Sequence, residues 1–172
     1  MKMLPAKEEG LMTKIIIMLS LFVLLSFELV CADSSSSLWV TTYGGTGSLA
    51  DEMRSVRRTS DGGYIIAGET NSFGENSDAW VMKLDKDGNI IWQKTYGGIH
   101  ADVVISVDES FSGNTSDGYI MAGETFSYGD GSQSDAWVFK LDNDGNIVWQ
   151  KTYSDSDGFG TVNSIQQTSD GG

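Results

Sequence analysis

The sequence predicts an all-β fold assembled from repeated units of four antiparallel strands, and three observations carry that expectation. The chain repeats itself: Asp61-Gly62-Gly63-Tyr64-Ile65-Ile66-Ala67-Gly68-Glu69-Thr70 returns, one glycine shorter, as Asp117-Gly118-Tyr119-Ile120-Met121-Ala122-Gly123-Glu124-Thr125. The segments that follow agree better still. Ser77-Asp78-Ala79-Trp80-Val81 returns as Ser134-Asp135-Ala136-Trp137-Val138, and Asp87-Gly88-Asn89-Ile90 through Trp92-Gln93-Lys94-Thr95-Tyr96 returns as Asp144-Gly145-Asn146-Ile147 through Trp149-Gln150-Lys151-Thr152-Tyr153. Composition agrees, because 21 glycines, one proline and a 10% aromatic content suit short strands joined by tight turns.

Tyr43, Tyr96 and Tyr153 are spaced by 53 and 57 residues. That spacing lies near the period of propeller blades, about 40 to 50 residues, and far above that of ankyrin or leucine-rich repeats. In the first unit the four strands are expected at about 53–59, 64–70, 79–84 and 90–96. Ser60-Asp61-Gly62-Gly63 and Asp85-Lys86-Asp87-Gly88-Asn89 lie between them and are rich in residues that tolerate positive φ, as antiparallel hairpins require. Tyr64-Ile65-Ile66-Ala67 and Trp80-Val81-Met82 lack polar alternation, so both faces of those strands are expected to be buried between stacked units. The fold class expected is therefore β-propeller-type blades of four antiparallel strands. Length differs between units at three places, 43–51 against 96–102, 56–64 against 107–119 and 73–80 against 128–137, and these read as loops.

In chain order, residues 1–32 have the form of a secretory signal: Lys14, an apolar run over 15–25, then Val30-Cys31-Ala32, with cleavage expected after Ala32. Met12 opens a more conventional version of the same signal. Cys31 carries a second reading, lipidation as in a bacterial lipoprotein, although Glu28 and Val30 depart from that pattern. Residues 33–37 read as a polar spacer. Residues 38–45 match a fourth strand with no first three before it, a strand that in a closed propeller would complete the last blade. Blade 1 then covers 46–98, blade 2 covers 99–153, and 154–172 begins a third. Because propellers close with about four to eight blades, further blades are needed for closure and the reading frame is expected to be truncated.

The formal net charge is −13, which makes nucleic acid an unsuitable partner. Cys31 is the only cysteine, so no disulfide framework is available to an exported chain.

With these residues in view, the pattern Asp-Gly-Gly-Tyr-Ile-Ile-Ala-Gly-Glu-Thr, Ser-Asp-Ala-Trp-Val and Lys-Leu-Asp-x-Asp-Gly-Asn-Ile-x-Trp-Gln-Lys-Thr-Tyr-Gly-Gly resembles the tandem repeats of secreted or surface β-propeller proteins of bacteria and archaea. The resemblance covers nearly everything from Leu38 on. It implies a propeller, export and a place in a larger surface protein, and it implies no activity. A looser likeness to quinoprotein propeller repeats rests on the Asp-x-Asp-Gly-Asn turn followed by Trp and carries no cofactor assignment.

Residues that return in every unit serve the unit, and this disposes of most candidates for chemistry. Asp85, Asp87, Asn89, Asp142, Asp144 and Asn146 offer oxygen ligands for calcium, but the further ligands of an EF-hand-like loop are missing and Asp-Gly-Asn is itself a turn sequence. Glu69 and Glu124 read as acceptors of a repeated backbone-amide hydrogen bond, or else as a carboxylate ring around a channel. Asp78 and Asp135 are expected to fix a turn, and Trp80, Trp137, Trp92 and Trp149 to pack between blades rather than stack on sugars. His100 stands without a nucleophile or further ligands. Arg54, Arg57 and Arg58 read as a solvated strand face, and Asn114-Thr115-Ser116 has the form of a glycosylation acceptor. The expectation is an exported, non-catalytic surface or scaffold module whose loops bind a protein or glycan, meeting the membrane only through its signal or a lipid anchor. The alternative is part of a propeller enzyme, a lyase, glycosidase or quinoprotein, with its active residues in other blades.

Overall fold

A computed structural model describes residues 39–45, 50–73, 76–129, 133–155 and 159–168. The signal sequence with Met12, Cys31 and Ala32, the spacer and Leu38 lie outside the described residues. Among the described residues eight strands form two antiparallel sheets. The first sheet contains β1 (Asp51–Arg58), β2 (Tyr64–Thr70), β3 (Asp78–Leu84) and β4 (Ile90–Tyr96), and the second contains β5 (Asp102–Ser112), β6 (Thr115–Thr125), β7 (Asp135–Leu141) and β8 (Ile147–Tyr153). In each sheet the strands lie side by side in chain order. The all-β, four-stranded antiparallel expectation is met, with strand bounds close to those anticipated.

The longest insertion departs from the expectation. The four extra residues between Val107 and Tyr119 do not form a loop; they lengthen β5 and β6 to 11 residues each. Phe111 pairs with Ser116 and Ser112 with Thr115, so only Gly113 and Asn114 turn the chain. A two-residue connection with Gly113 at φ 63 is compatible with the ladder continuing to the tip.

The shared turns explain the shared register. In the β1–β2 hairpin the Asp61 carboxylate accepts from Thr59 Oγ1 and the Gly63 amide, and it receives Lys83 Nζ from β3 at 2.8 Å. Lys83 is 3% exposed and donates also to the Leu84 carbonyl, so its buried ammonium is fully engaged. Asp117 repeats the arrangement with Lys140 at 2.7 Å and Ser110 Oγ at 2.8 Å. One carboxylate thereby ties the hairpin turn in the first sheet, and the start of β6 in the second, to the third strand of its own sheet.

The two sheets pack face to face. Ile65, Ala67, Ala79 and Val81 of the first meet Val104, Val107, Tyr119, Met121, Trp137 and Phe139 of the second in one buried cluster. The opposite face of the first sheet, carrying Tyr64, Ile66, Trp80, Met82 and Leu84, forms a second cluster beneath Trp39 and Tyr43. β2 and β3 are therefore buried on both faces, as their unbroken apolar pattern predicts.

The Asp61 turn sets an acid limit on stability. Burial alone raises its carboxyl, but the bonds from Lys83, Thr59 and Gly63 outweigh burial and hold it down at about 2. The unfolded chain, with a carboxyl near about 3.9, binds the proton more readily, so the stabilisation is present above about pH 4 and lost as pH falls toward about 2. The melting temperature is expected to fall through that window. Asp61→Asn is expected to lower it at neutral pH and to flatten part of the acid slope; calorimetric melts of the two proteins against pH check this.

Candidate functional site

The calcium candidates sit in the β3–β4 and β7–β8 turns. Asp85 Oδ1 accepts the amides of Asp87 and Asn89, each at 2.8 Å, and Asp85 Oδ2 accepts Asn89 Nδ2 at 2.8 Å. Asp142 repeats this with Asp144 at 3.0 Å, Asn146 N at 2.8 Å and Asn146 Nδ2 at 3.0 Å. The bonds from Asn89 and from Asn146 hold both aspartates below the usual carboxylate range. Asp87 pairs outward with Lys86, and Asp144 is exposed. Both oxygens of the first aspartate are thus engaged in folding the turn.

Once folded, each turn also serves as a seat for the preceding unit. Trp92 of β4 lies on the second sheet's turn: its indole Nε1 donates to the Asn143 carbonyl at 3.0 Å, and Tyr96 Oη donates to the Gly145 carbonyl at 2.8 Å. Gly145 has φ 76, and a Cβ there would stand 3.1 Å from the Trp92 ring, so the position requires glycine on two counts. Trp39 and Tyr43 meet the first sheet's turn in the same way, at 3.2 Å to the Lys86 carbonyl and 2.6 Å to the Gly88 carbonyl. Residues 39–45 therefore occupy toward the first sheet the seat that β4 occupies toward the second, although they belong to no strand ladder. Trp149 and Tyr153 are the third pair of the series and hold nothing: they are 39% and 55% exposed, against 8% for Tyr96. Packing between sheets, expected of all four tryptophans, is seen for Trp137 and Trp92; Trp80 is buried on the opposite face of the first sheet, under Trp39 and Tyr43, and Trp149 is exposed.

A second joint escaped the sequence reading. Asp102 accepts Thr125 Oγ1 on one oxygen, and on the other it accepts Ser127 Oγ at 2.6 Å and the Gly98 amide at 2.9 Å. Asp51 does the same with Thr70, Ser72 and Gly45. The signal was present in Thr-x-Ser at the end of each second strand and in the Gly-Gly after Tyr43 and Tyr96, but Asp51 and Asp102 stand beyond a connection of unequal length. In the next unit Gly160 takes the place of Asp102, its amide donating to the Ser134 carbonyl as that of Asp102 donates to Ser77.

The first strands of successive units form a third set of contacts. The Val107 amide donates to Ser55 Oγ and the Ile165 amide to Ser106 Oγ, both at 3.2 Å. Glu109 grips Ser60 through its amide at 2.7 Å and its hydroxyl at 2.8 Å, while Gln167 grips the Phe111 amide at 2.7 Å and carbonyl at 3.0 Å. Arg57 approaches Asp108 at 4.0 Å.

The remaining candidates do not converge. Glu69 binds Arg54 at 2.6 Å and Ser77 Oγ at 2.7 Å rather than a backbone amide, because the bulge between Met53 and Ser55 brings Arg54 over the neighbouring strand. Glu124, at the equivalent position, pairs with Val103 beside a bulge whose extra residue is Ile105 rather than an arginine, and it contributes to the field that raises the Arg54 guanidinium. Asp78 and Asp135 open β3 and β7; burial and then the Asp102 charge push the Asp78 carboxyl up. His100 is exposed in the β4–β5 connection, Arg58 is exposed on β1, and Asn114 is exposed at the β5–β6 tip. Among the described residues no group of three or more His, Cys, Asp or Glu is placed to hold a metal ion.

The joint can be tested with one substitution made at two equivalent sites. Burial, then the Asp142 charge, push the Tyr96 phenol above its ordinary range, and its hydroxyl is the donor to a buried carbonyl. Tyr96→Phe is expected to cost about 1–2 kcal/mol by leaving that carbonyl unsatisfied. Tyr153→Phe, at a surface site, is expected to change stability by less than about 0.5 kcal/mol; urea unfolding of both variants measures the difference.

No family model matches this chain, and no curated protein matches its sequence.

Proposed function

We propose that the chain is an exported, non-catalytic repeat protein of propeller type that serves as a surface interaction or scaffold module. The observation that carries this reading is a division of labour among residues. Side chains shared by the units, Asp85 and Asp142, Trp92 and Tyr96, Asp51 and Asp102, are used to fold turns and join sheets. At the opposite end from the Asp-Gly-Asn turns, the connections carry residues without a counterpart. There Ile99, Phe126 and Phe159, from three connections, are 77%, 43% and 52% exposed. Large apolar side chains set singly on a surface need no explanation, but three on the connections at one end of the sheets form the kind of face that docks a partner. The connections at this end vary in length between units while the third and fourth strands keep seven residues in each, which suits a recognition face on a fixed scaffold.

Two measurements test the proposal. Intact-mass spectrometry of the chain recovered from an exporting host is expected to give a mature protein beginning at Asp33; retention of residues 1–32 would remove export from the reading, and a diacylated Cys31 would replace free secretion with a lipid anchor. On an array of surface glycans and envelope proteins, Ile99→Ser combined with Phe126→Ser is expected to reduce binding at least about tenfold without changing the melting temperature. Turnover of an arrayed substrate by the purified chain would overturn the non-catalytic assignment.

A further inference from the structure

We propose that the two flanks of this chain fit each other, so that the outer side of the second sheet of one copy docks on the outer side of the first sheet of a second copy. In that assembly Trp149 and Tyr153 take the 85–89 turn of the second copy, which residues Trp39 and Tyr43 hold within the isolated chain. The inference rests on how sheets join and is independent of export and of any ligand at the loop end.

The interface proposed is already present once inside the chain, between the first sheet and the second. By repeat equivalence Ile120, Ala122 and Val138 stand where Ile65, Ala67 and Val81 stand. Ile65 and Val81 are fully buried against the second sheet, whereas Ile120 and Val138 are only half-buried. On the other flank, the seven described residues 39–45 cover the first sheet incompletely. They leave an apolar groove of about 140 Å³ lined by Trp39, Tyr43, Met53, Val56 and Ile66. The equivalent place on the second sheet is filled by side chains of the first.

Two differences favour a second copy over the segment now in the seat. Lys94 of β4 donates to Asn146 Oδ1 at 2.9 Å across the internal joint. At the same register β8 offers Lys151, but the 39–45 segment offers Thr41, so β8 brings to Asn89 a charged donor that the segment lacks. The first strands are also complementary in charge. β5 carries Asp108, which stays partly exposed while the carboxylate of its neighbour Glu109 is taken by Ser60, and β1 carries the exposed Arg57 and Arg58, so stacking one copy on the next brings the Asp108 carboxylate toward the two guanidiniums. The internal joint sets Arg57 beside Asp108 in the same manner.

Docking requires residues 39–45 of one copy and residues 159–168 of the other to give up their seats. Neither segment contributes a strand to a ladder, so each is held by side-chain joints and a few backbone bonds rather than by continuous pairing. The contact is heterologous, head to tail, and therefore builds rings or filaments rather than a closed two-fold dimer.

Sedimentation velocity of the chain over about 1 to 100 µM tests this through mass action. Wild-type chain is expected to form concentration-dependent oligomers. Trp149→Ala with Tyr153→Ala is expected to weaken association at least about tenfold. Trp39→Ala with Tyr43→Ala empties the competing seat and is expected to strengthen association, and all four substitutions together return the chain to monomer, with the far-ultraviolet circular dichroism unchanged throughout. A wild-type monomer at every concentration overturns the proposal. So does an effect of the same sign from both pairs, or a four-fold variant that stays associated, since loss of folding alone produces either result.

Discussion

A sheet whose two central strands are apolar on both faces cannot be stable with water on either side, and that constraint governs the rest of this molecule. β2 and β3 present Ile65, Ala67, Ala79 and Val81 on one face and Tyr64, Ile66, Trp80 and Met82 on the other. At about 25 cal/mol for each Å² of apolar surface kept from water, exposing one face of such a sheet forfeits most of the gain from having formed it. Each unit therefore needs a neighbour on both sides. The first sheet obtains one from the second sheet and a partial one from residues 39–45, while the second obtains one from the first and a partial one from residues 159–168.

Apolar stacking is indifferent to rotation and sliding, so the orientation of one sheet on the next must come from directional bonds. Those bonds are made at three heights. The Trp–Tyr pair meets the Asp-Gly-Asn turn at one end, the aspartate with its Thr, Ser and Gly partners closes the crossover at the other, and serine hydroxyls take amides of the next first strand between them. The Tyr96 bond meets a buried carbonyl and the serine and aspartate bonds meet part-buried groups, which makes their loss costly, while the Trp92 bond at the exposed rim adds direction. It also explains why the apparent chemistry of the repeats resolves into architecture. A carboxylate or an indole that must meet the same backbone atoms in every unit cannot vary to suit a substrate.

The strands were legible in the sequence because strand length and turn chemistry are local properties. Asp61-Gly62-Gly63 and Asp87-Gly88-Asn89 mark hairpins whatever surrounds them, and the unbroken run Tyr64-Ile65-Ile66-Ala67 announces burial on both faces. Partners were less legible, because they depend on register across strands. Nothing local in the sequence indicates that a bulge carries Arg54 over Glu69, and at the equivalent bulge beside residue 124 the extra residue is Ile105, so repetition gives no help. The Asp51 and Asp102 joint was missed because the connection before it changes length, which hides the equivalence of the two aspartates. Added residues are usually solvated backbone, so the insertion before Tyr119 has the look of a loop, but Gly113-Asn114 allows the ladder to continue to the tip.

Identical joints raise a problem that the inner strands answer. If every unit carried the same contacts, any unit could follow any other, and a growing chain would have no means of choosing its own next unit over a neighbour's. The positions that differ between units lie where that choice is made. Glu109 receives the amide and hydroxyl of Ser60, whereas Gln167, at the equivalent place, both accepts from and donates to the backbone of Phe111. A glutamate at 167 could take the amide but would set its charge against the carbonyl, and an amide at 109 would give up a charge-assisted pair of bonds. Arg57 and Asp108 add a charge term of the same kind. The shared residues make units stick and the unshared ones set their order, so the outermost faces, where shared groups are bare and unshared groups have no assigned neighbour, are where the chain is least particular about what it binds.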